Sequence, residues 1–230
     1  MRIAVLVAAS ALVAGCSSTV DGNQTSSSAL TTPPPPTTSS TTSRAPTSAP
    51  TSSAGAAPAA GAAIAEVIRW VEAGAPADPA DYHSVTLDGV TSPKADGVAF
   101  TTADGEANCL TNTYADGALA CLVKLADPPP RPPDFPSGWK NNWVDFPGTS
   151  VDVGSPHGDP GAFGEGSGRE LPSGQSLAFG DYRCRADPAG LFCVDYAHQT
   201  AVKLASGGVE GFGCLKKTTP PPDIGLRLSC

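Results

Sequence analysis

The segment GAAIAEVIRWVEAG, residues 61–74, places Ile64, Val67, Ile68 and Val71 at the i, i+3, i+4, i+7 spacing of one helical face. That spacing predicts an amphipathic helix, and Gly74 can end it. No other stretch carries a comparable helical period. Beyond it the chain breaks into short alternating or apolar runs: SVTLDGV, GVAFTT, EANCL, ALACLVKL, WVDF, QSLAFGDYRC, LFCVDY, TAVKL and IGLRLSC. Asp, Gly and Pro separate these runs. The expected fold is therefore mainly β, an antiparallel sandwich or barrel-like domain with one N-terminal helix packed outside it. Two proline breaks, DPPPRPPDFP and TTPPPD, have too few backbone donors for central strands and are expected to be ordered connections.

Two of these regions share a plan. VAFTTADGEANCLTNTYADGALACLVKL and LAFGDYRCRADPAGLFCVDYAHQTAVKL each run from an apolar stretch with Phe to a cysteine, a loop rich in Ala, Asp and Gly, and a second cysteine in an apolar strand. This weak internal repeat predicts two similarly built hairpins in one domain. In the second, Asp187-Pro188-Ala189-Gly190 fits a type I turn: Asp caps it, Pro supplies the φ of the second position, and Gly suits the fourth. Pairing Asp187 with Gly190 sets Cys184 opposite Cys193, within disulfide reach, although a bulge at such a turn would shift the register by one. For Cys109 and Cys121 the loop TNTYADG predicts a bond but no register.

The N-terminus changes the picture from a fold to a compartment. Arg2, an apolar run from Ile3 to Val13 and small residues leading to Cys16 form a secretory signal peptide, too short for a permanent span. Val13-Ala14-Gly15-Cys16 resembles the bacterial lipobox. That resemblance implies removal of residues 1–15 and lipidation of Cys16, which would anchor the chain to the outer face of the cytoplasmic membrane. Residues 16–60 are almost all Ser, Thr, Pro, Ala and Gly, and cannot bury enough apolar surface to order themselves. As an extended tether they reach up to about 140 Å, acting as a plain spacer or as an O-glycosylated passage through the wall. Residues 61–230 make up one domain of ordinary size.

Net charge is -8, and the 14 Lys and Arg residues are scattered, so no basic stripe for nucleic acid exists. Setting Cys16 aside leaves six cysteines, Cys109, Cys121, Cys184, Cys193, Cys214 and Cys230. An even number in an exported chain predicts three disulfides.

Candidate chemistry is sparse. Neither hairpin has the close cysteine spacing of a zinc site, and His83, His157 and His198 are dispersed without HExxH or CxxC, so no metal and no cofactor is expected. Strand cysteines also lack the helix N-terminal setting of redox pairs. GDPGAFGEGSGRE, residues 158–170, lacks the Lys-Ser/Thr end of a phosphate loop and is expected to be a flexible loop. Ser155, His157 and Asp159 are the residue types of a hydrolase, but near neighbours in sequence are not expected to converge on one attacked atom, and no GxSxG occurs. His198, three residues after Asp195, reads as a hydrogen-bonded strand-end histidine. Trp70, Trp139, Trp143, Tyr182 and Tyr196 either line a groove or serve a core that has few other aromatics.

In order along the chain, AFTTADGEANC, ALACLV, PPPRP, ELPSGQSLAFGDYRCRADPAGLFC and HQTAVKL resemble an uncharacterised cysteine-hairpin domain of exported actinobacterial proteins, over roughly residues 62–230. Many members of that family carry a further cysteine after the PPPRP element and another before the Leu-Pro segment. Here PDFPSGW and VDVGSPHGDP have neither. The resemblance thus implies that one bonded pair is missing, that Cys109 joins Cys121 and Cys184 joins Cys193, and that the third bond is Cys214 to Cys230. It also implies a mycobacterial or related envelope location, with no established reaction. The expected function is a non-enzymatic binding or interaction module. The alternatives are an inhibitor or sensor of an envelope hydrolase, or a cell-wall or lipid hydrolase using His157 or His198.

Overall fold

Two β-sheets pack face to face in the computed structural model, which describes residues 55–230 apart from 136, 159 and 160. The signal peptide 1–15, Cys16 and most of the 16–60 linker lie outside the described residues. The first sheet has six strands in the order β1 (Ala75–Pro76), β10 (Gln175–Phe179), β11 (Tyr182–Asp187), β12 (Gly190–Asp195), β13 (Thr200–Ala205) and β14 (Gly208–Phe212). The second has ten: β15 (Lys216–Thr218), β16 (Leu226–Ser229), β8 (Ser150–Pro156), β7 (Trp139–Phe146), β6 (Ala118–Val123), β5 (Ala107–Asn112), β4 (Ala99–Thr102), β9 (Ser167–Leu171), β2 (Ser84–Leu87) and β3 (Val90–Pro93). Pairing is antiparallel except for β1 with β10 and β4 with β9. The sheets keep open edges, so the domain is a sandwich and not a closed barrel.

Period-two alternation sorts the strands into layers. Cys109, Leu119, Cys121, Val144, Phe146 and Val153 of the larger sheet face Leu177, Cys184, Leu191, Cys193, Val202 and Leu204 of the smaller, forming the central core. The other faces are covered too. Phe192, Val194, Ala201 and Phe212 lie under α1 (Ile64–Glu72), which buries Val67, Trp70 and Val71. Leu110, Ala120 and Trp143 pack with Ala162 and Phe163 on the opposite outside. Strands covered on both faces need apolar residues at consecutive positions, and ALACLV in β6 and LFCV in β12 have them.

The helical stripe deserves one adjustment. Ile64 and Ile68 are only partly buried, while Trp70 is buried because its ring lies under the Arg185 guanidinium, 3.8 Å from the ring centroid. Arg185 is itself 1 % exposed and donates from Nη1 to the Trp70 carbonyl, so a cation caps the C-terminal end of α1. Order begins before residue 61: Trp70 Nε1 donates to the Gly55 carbonyl at 2.8 Å.

Both repeat copies form the expected hairpins, one in each sheet, and both disulfides point into the central core. In the second, Asp187 pairs with Gly190 and Cys184 with Cys193, with Asp187 Oδ1 accepting from Ala189 N at 2.9 Å. In the first, Asn112 pairs with Ala118 and Cys109 with Cys121 across a five-residue loop. The three bonds are Cys109–Cys121, Cys184–Cys193 and Cys214–Cys230, with Cα atoms 4.0, 4.0 and 4.8 Å apart. The last ties the start of β15 to the end of β16, closing 16 residues and contributing about 3 kcal/mol by loop entropy.

The glycine-rich segment is not the flexible loop that its composition suggests. Gly161–Glu165 is a 3-10 turn, and Ser167–Leu171 is β9, seated between β4 and β2. A Cβ at Gly168 would fall 2.0 Å from the Ala99 carbonyl carbon. Glycine is there because two backbones nearly touch, a need that composition alone does not reveal.

Candidate functional site

One end of the sandwich is built from loops of both sheets, and there the surface opens into a cleft of about 680 Å³. The β5–β6 loop supplies Asp116, the β10–β11 turn supplies Gly180 and Asp181, and the β12–β13 loop supplies Ala197 and His198. His83, just after the 3-10 turn Pro79–Tyr82, and Pro147 after β7 complete the rim. Phe179, Val98 and Ala178 give the walls apolar surface. The Cys109–Cys121 hairpin presents its own β5–β6 loop to the cleft, whereas the Cys184–Cys193 hairpin turns at Asp187–Gly190 and reaches the cleft with its other end, through the β10–β11 turn and the β12–β13 loop.

His198 is fixed from two directions. The Asp195 carboxylate, 3 % exposed, accepts from the His198 backbone N at 2.8 Å and from Nδ1 at 3.0 Å through the same oxygen. A carboxylate only accepts, so Nδ1 carries the proton and Nε2 is the acceptor nitrogen of the neutral ring. Gly148 (φ 98°) closes the other side: a Cβ there would lie 2.4 Å from both Asp195 Oδ2 and His198 Nδ1. The Gly148 carbonyl in turn accepts from Thr200 Oγ1 at 2.6 Å. Below the dyad, buried Tyr182 donates to the Phe146 carbonyl at 2.9 Å; burial and then the nearby Asp195 charge push its phenol well above the usual range. The strand-end reading of His198 holds, and the side chain also lines the cleft.

A second histidine cluster lies elsewhere on the larger sheet. The ladder between β7 and β8 shifts register between Lys140 and Val144, and near this irregularity Trp143, Asp145, Ser155 and His157 meet. His157 Nε2 is 2.8 Å from Ser155 Oγ and 3.8 Å from Asp145 Oδ2, and its ring stacks on Trp143 at 3.5 Å between centroids. Trp143 Nε1 donates to Asp145 Oδ1 at 2.8 Å. Burial, helped by the Lys140 cation, holds His157 down to about 4. Burial pushes the Asp145 carboxyl up, against the pull of the Trp143 N–H.

The neighbours Ser155 and His157 touch, and Asp159 lies outside the described residues. Convergence still falls short of a nucleophile. Ser155 is 5 % exposed, and both Ser155 and Asp145 face the same ring nitrogen. A serine relay instead needs the acid on Nδ1, orienting a ring whose Nε2 serves the hydroxyl. Asp145 escaped notice in the sequence, although its i, i+2 relation to Trp143 puts both on one strand face.

The aromatics divide as the core reading expected. Trp70, Trp143 and Tyr182 are buried, and Tyr196 bonds Glu72 Oε1 at 3.0 Å; of the five, only Tyr182 lines the cleft. Trp139 Nε1 is buried without a hydrogen-bond partner among the described residues. No group of three or more His, Cys, Asp or Glu is placed to hold a metal among the described residues. No helix among them is long and apolar enough to cross a membrane. The chain matches no protein-family model, no curated protein and no solved structure.

Proposed function

We propose that this chain is a non-enzymatic binding module of the bacterial cell envelope, which takes its ligand in the cleft at the loop end of the sandwich. The observation that carries the reading is the cleft itself. Loops from both sheets surround about 680 Å³, and the lining offers apolar surface and fixed polar groups but, among the described residues, no serine, cysteine or lysine nucleophile. The reading of the compartment rests on the sequence: a signal-peptide pattern over residues 1–15, a lipobox-like end at Cys16, a tether composition over 16–60, and a resemblance to the cysteine-hairpin domains of exported actinobacterial proteins. Three disulfides suit an oxidising compartment. An inhibitor or sensor of an envelope hydrolase is a special case of the same module, with a protein as the ligand.

The hydrolase reading has two observations in its favour: the Ser155–His157 contact, against which the shared Nε2 and the burial of Ser155 count, and the Asp195–His198 pair, beside which the described lining of the cleft offers no serine, cysteine or lysine. Two experiments test the proposal. Detergent partition of the exported protein is expected to depend on Cys16, and Cys16→Ser is expected to release it; a water-soluble wild type contradicts the anchor. Ester, glycoside and peptide substrates are expected to survive incubation with the purified chain. Turnover abolished by His157→Ala or His198→Ala contradicts the non-enzymatic assignment.

A further inference from the structure

We infer that the loop-end cleft takes a ligand with a cationic N–H donor head, an ammonium or guanidinium, on an apolar body; the inference rests on reading this cleft as the binding site. Hydrogen-bond accounting carries it. His83 Nδ1 lies 2.7 Å from the Gly97 carbonyl and His198 Nδ1 lies 3.0 Å from Asp195 Oδ1. Both partners can only accept, so each neutral ring holds its proton on Nδ1 and presents Nε2 as an acceptor. Two independent loops thus arrive with the same tautomer, each pinned by an internal partner.

The rest of the polar lining agrees. Asp116 and Asp181 add exposed carboxylates at the rim, and neither Lys nor Arg is among the described lining residues. Tyr182 directs its hydroxyl inward to the Phe146 carbonyl, and Thr111 Oγ1 accepts from Val98 N at 3.2 Å, leaving one hydroxyl proton to offer a ligand. A cleft in which acceptors and negative charge predominate leaves an anionic ligand desolvated beside like charges, whereas a cation gains at the two ring nitrogens and the rim carboxylates. Phe179, Val98 and Pro147 supply the surface for the apolar body.

The test uses the full chain and three probes that share one body: 3-phenylpropylammonium, 3-phenylpropanol and 3-phenylpropanoate. Binding is followed through the NMR signals of His83, His198, Gly180 and Asp181. The ammonium is expected to move these signals and to bind at least about tenfold more tightly than the carboxylate. Asp116→Asn combined with Asp181→Asn is expected to erase that margin between the ammonium and the carboxylate. Asn suits both sites, since each carboxylate is exposed and Asn tolerates the positive φ of 52° at Asp116. If the alcohol or the carboxylate binds at these signals as tightly as the ammonium, the cation assignment is overturned and the cleft reading stands. If none of the probes moves them, both are overturned.

Discussion

His198 and His157 each sit beside an aspartate, at 3.0 and 3.8 Å, yet the two sites are built in opposite senses. At His198 the buried acid takes Nδ1, a glycine backs the pair, and the ring opens onto a cleft. At His157 the acid and a buried serine both approach Nε2, and Trp143 covers a face of the ring. The first arrangement orients a histidine toward a visitor. The second uses one as packing, which explains why burial, and not a partner's charge, governs its protonation. Residue types alone do not separate these outcomes; the nitrogen that meets the acid does.

The largest way to test this contrast is acid. His157 is held to about 4 against an ordinary 6.5, so the neutral ring favours the fold. The sign is that of a base with a depressed folded value: full stability lies above pH 6.5, and it is lost as pH falls toward 4. Discounted for solvent screening of a half-buried ring, that loss amounts to about 2 kcal/mol from this one group. Asp145, pushed up, works in the opposite direction and recovers part of it as it protonates. His157→Phe keeps a ring on Trp143 without the titration, so its denaturation midpoint is expected to change less between pH 7 and pH 4.5 than that of the wild type. An equal change in both proteins contradicts the packing role.

Gly148→Ala is next, with an expected loss of about 2 kcal/mol in chemical denaturation. Its Cβ would strike Asp195 and His198 at 2.4 Å, so the His198 Nδ1 proton should exchange faster with solvent. The matched control beside His157 is Gly158→Ala, where nothing among the described residues lies within 4 Å of a Cβ; it is expected to stay within about 0.5 kcal/mol. Ser155→Ala removes one hydrogen bond and is expected to cost about 1 kcal/mol, with no change in ligand binding. A binding defect in that variant would mean that the second site reaches the cleft.

Legibility in the sequence followed how local the cause was. The Asp187–Gly190 turn determines the register of its own hairpin, so the Cys184–Cys193 pairing was readable from four residues. The five-residue loop after Asn112 has no such rule, and only the bond was foreseen. Period-two runs announced a mainly β domain, sandwich or barrel, whereas the order β4-β9-β2 joins strands far apart in sequence and leaves no mark in either. Gly168 looked like loop chemistry because the Ala99 backbone against it lies almost seventy residues away. The cleft was invisible for the same reason. His83, Asp116, Asp181 and His198 come from four separate loops, and only the closure of two sheets gathers them. Trp70 was counted as a groove aromatic or core filler; the Arg185 cap that buries it is a long-range pairing of the same kind.

The central claim is that ligand recognition takes place on the His198 side and not on the His157 side. Long-range 1H–15N correlation of the histidine rings in the full chain, recorded with and without a library of small fragments, tests it most directly. The account predicts Nδ1-protonated His83 and His198 at neutral pH, with bound fragments moving their Nε2 resonances and leaving His157 unmoved. An Nε2-protonated His198, or fragments that move His157 while the other two stay still, would contradict it.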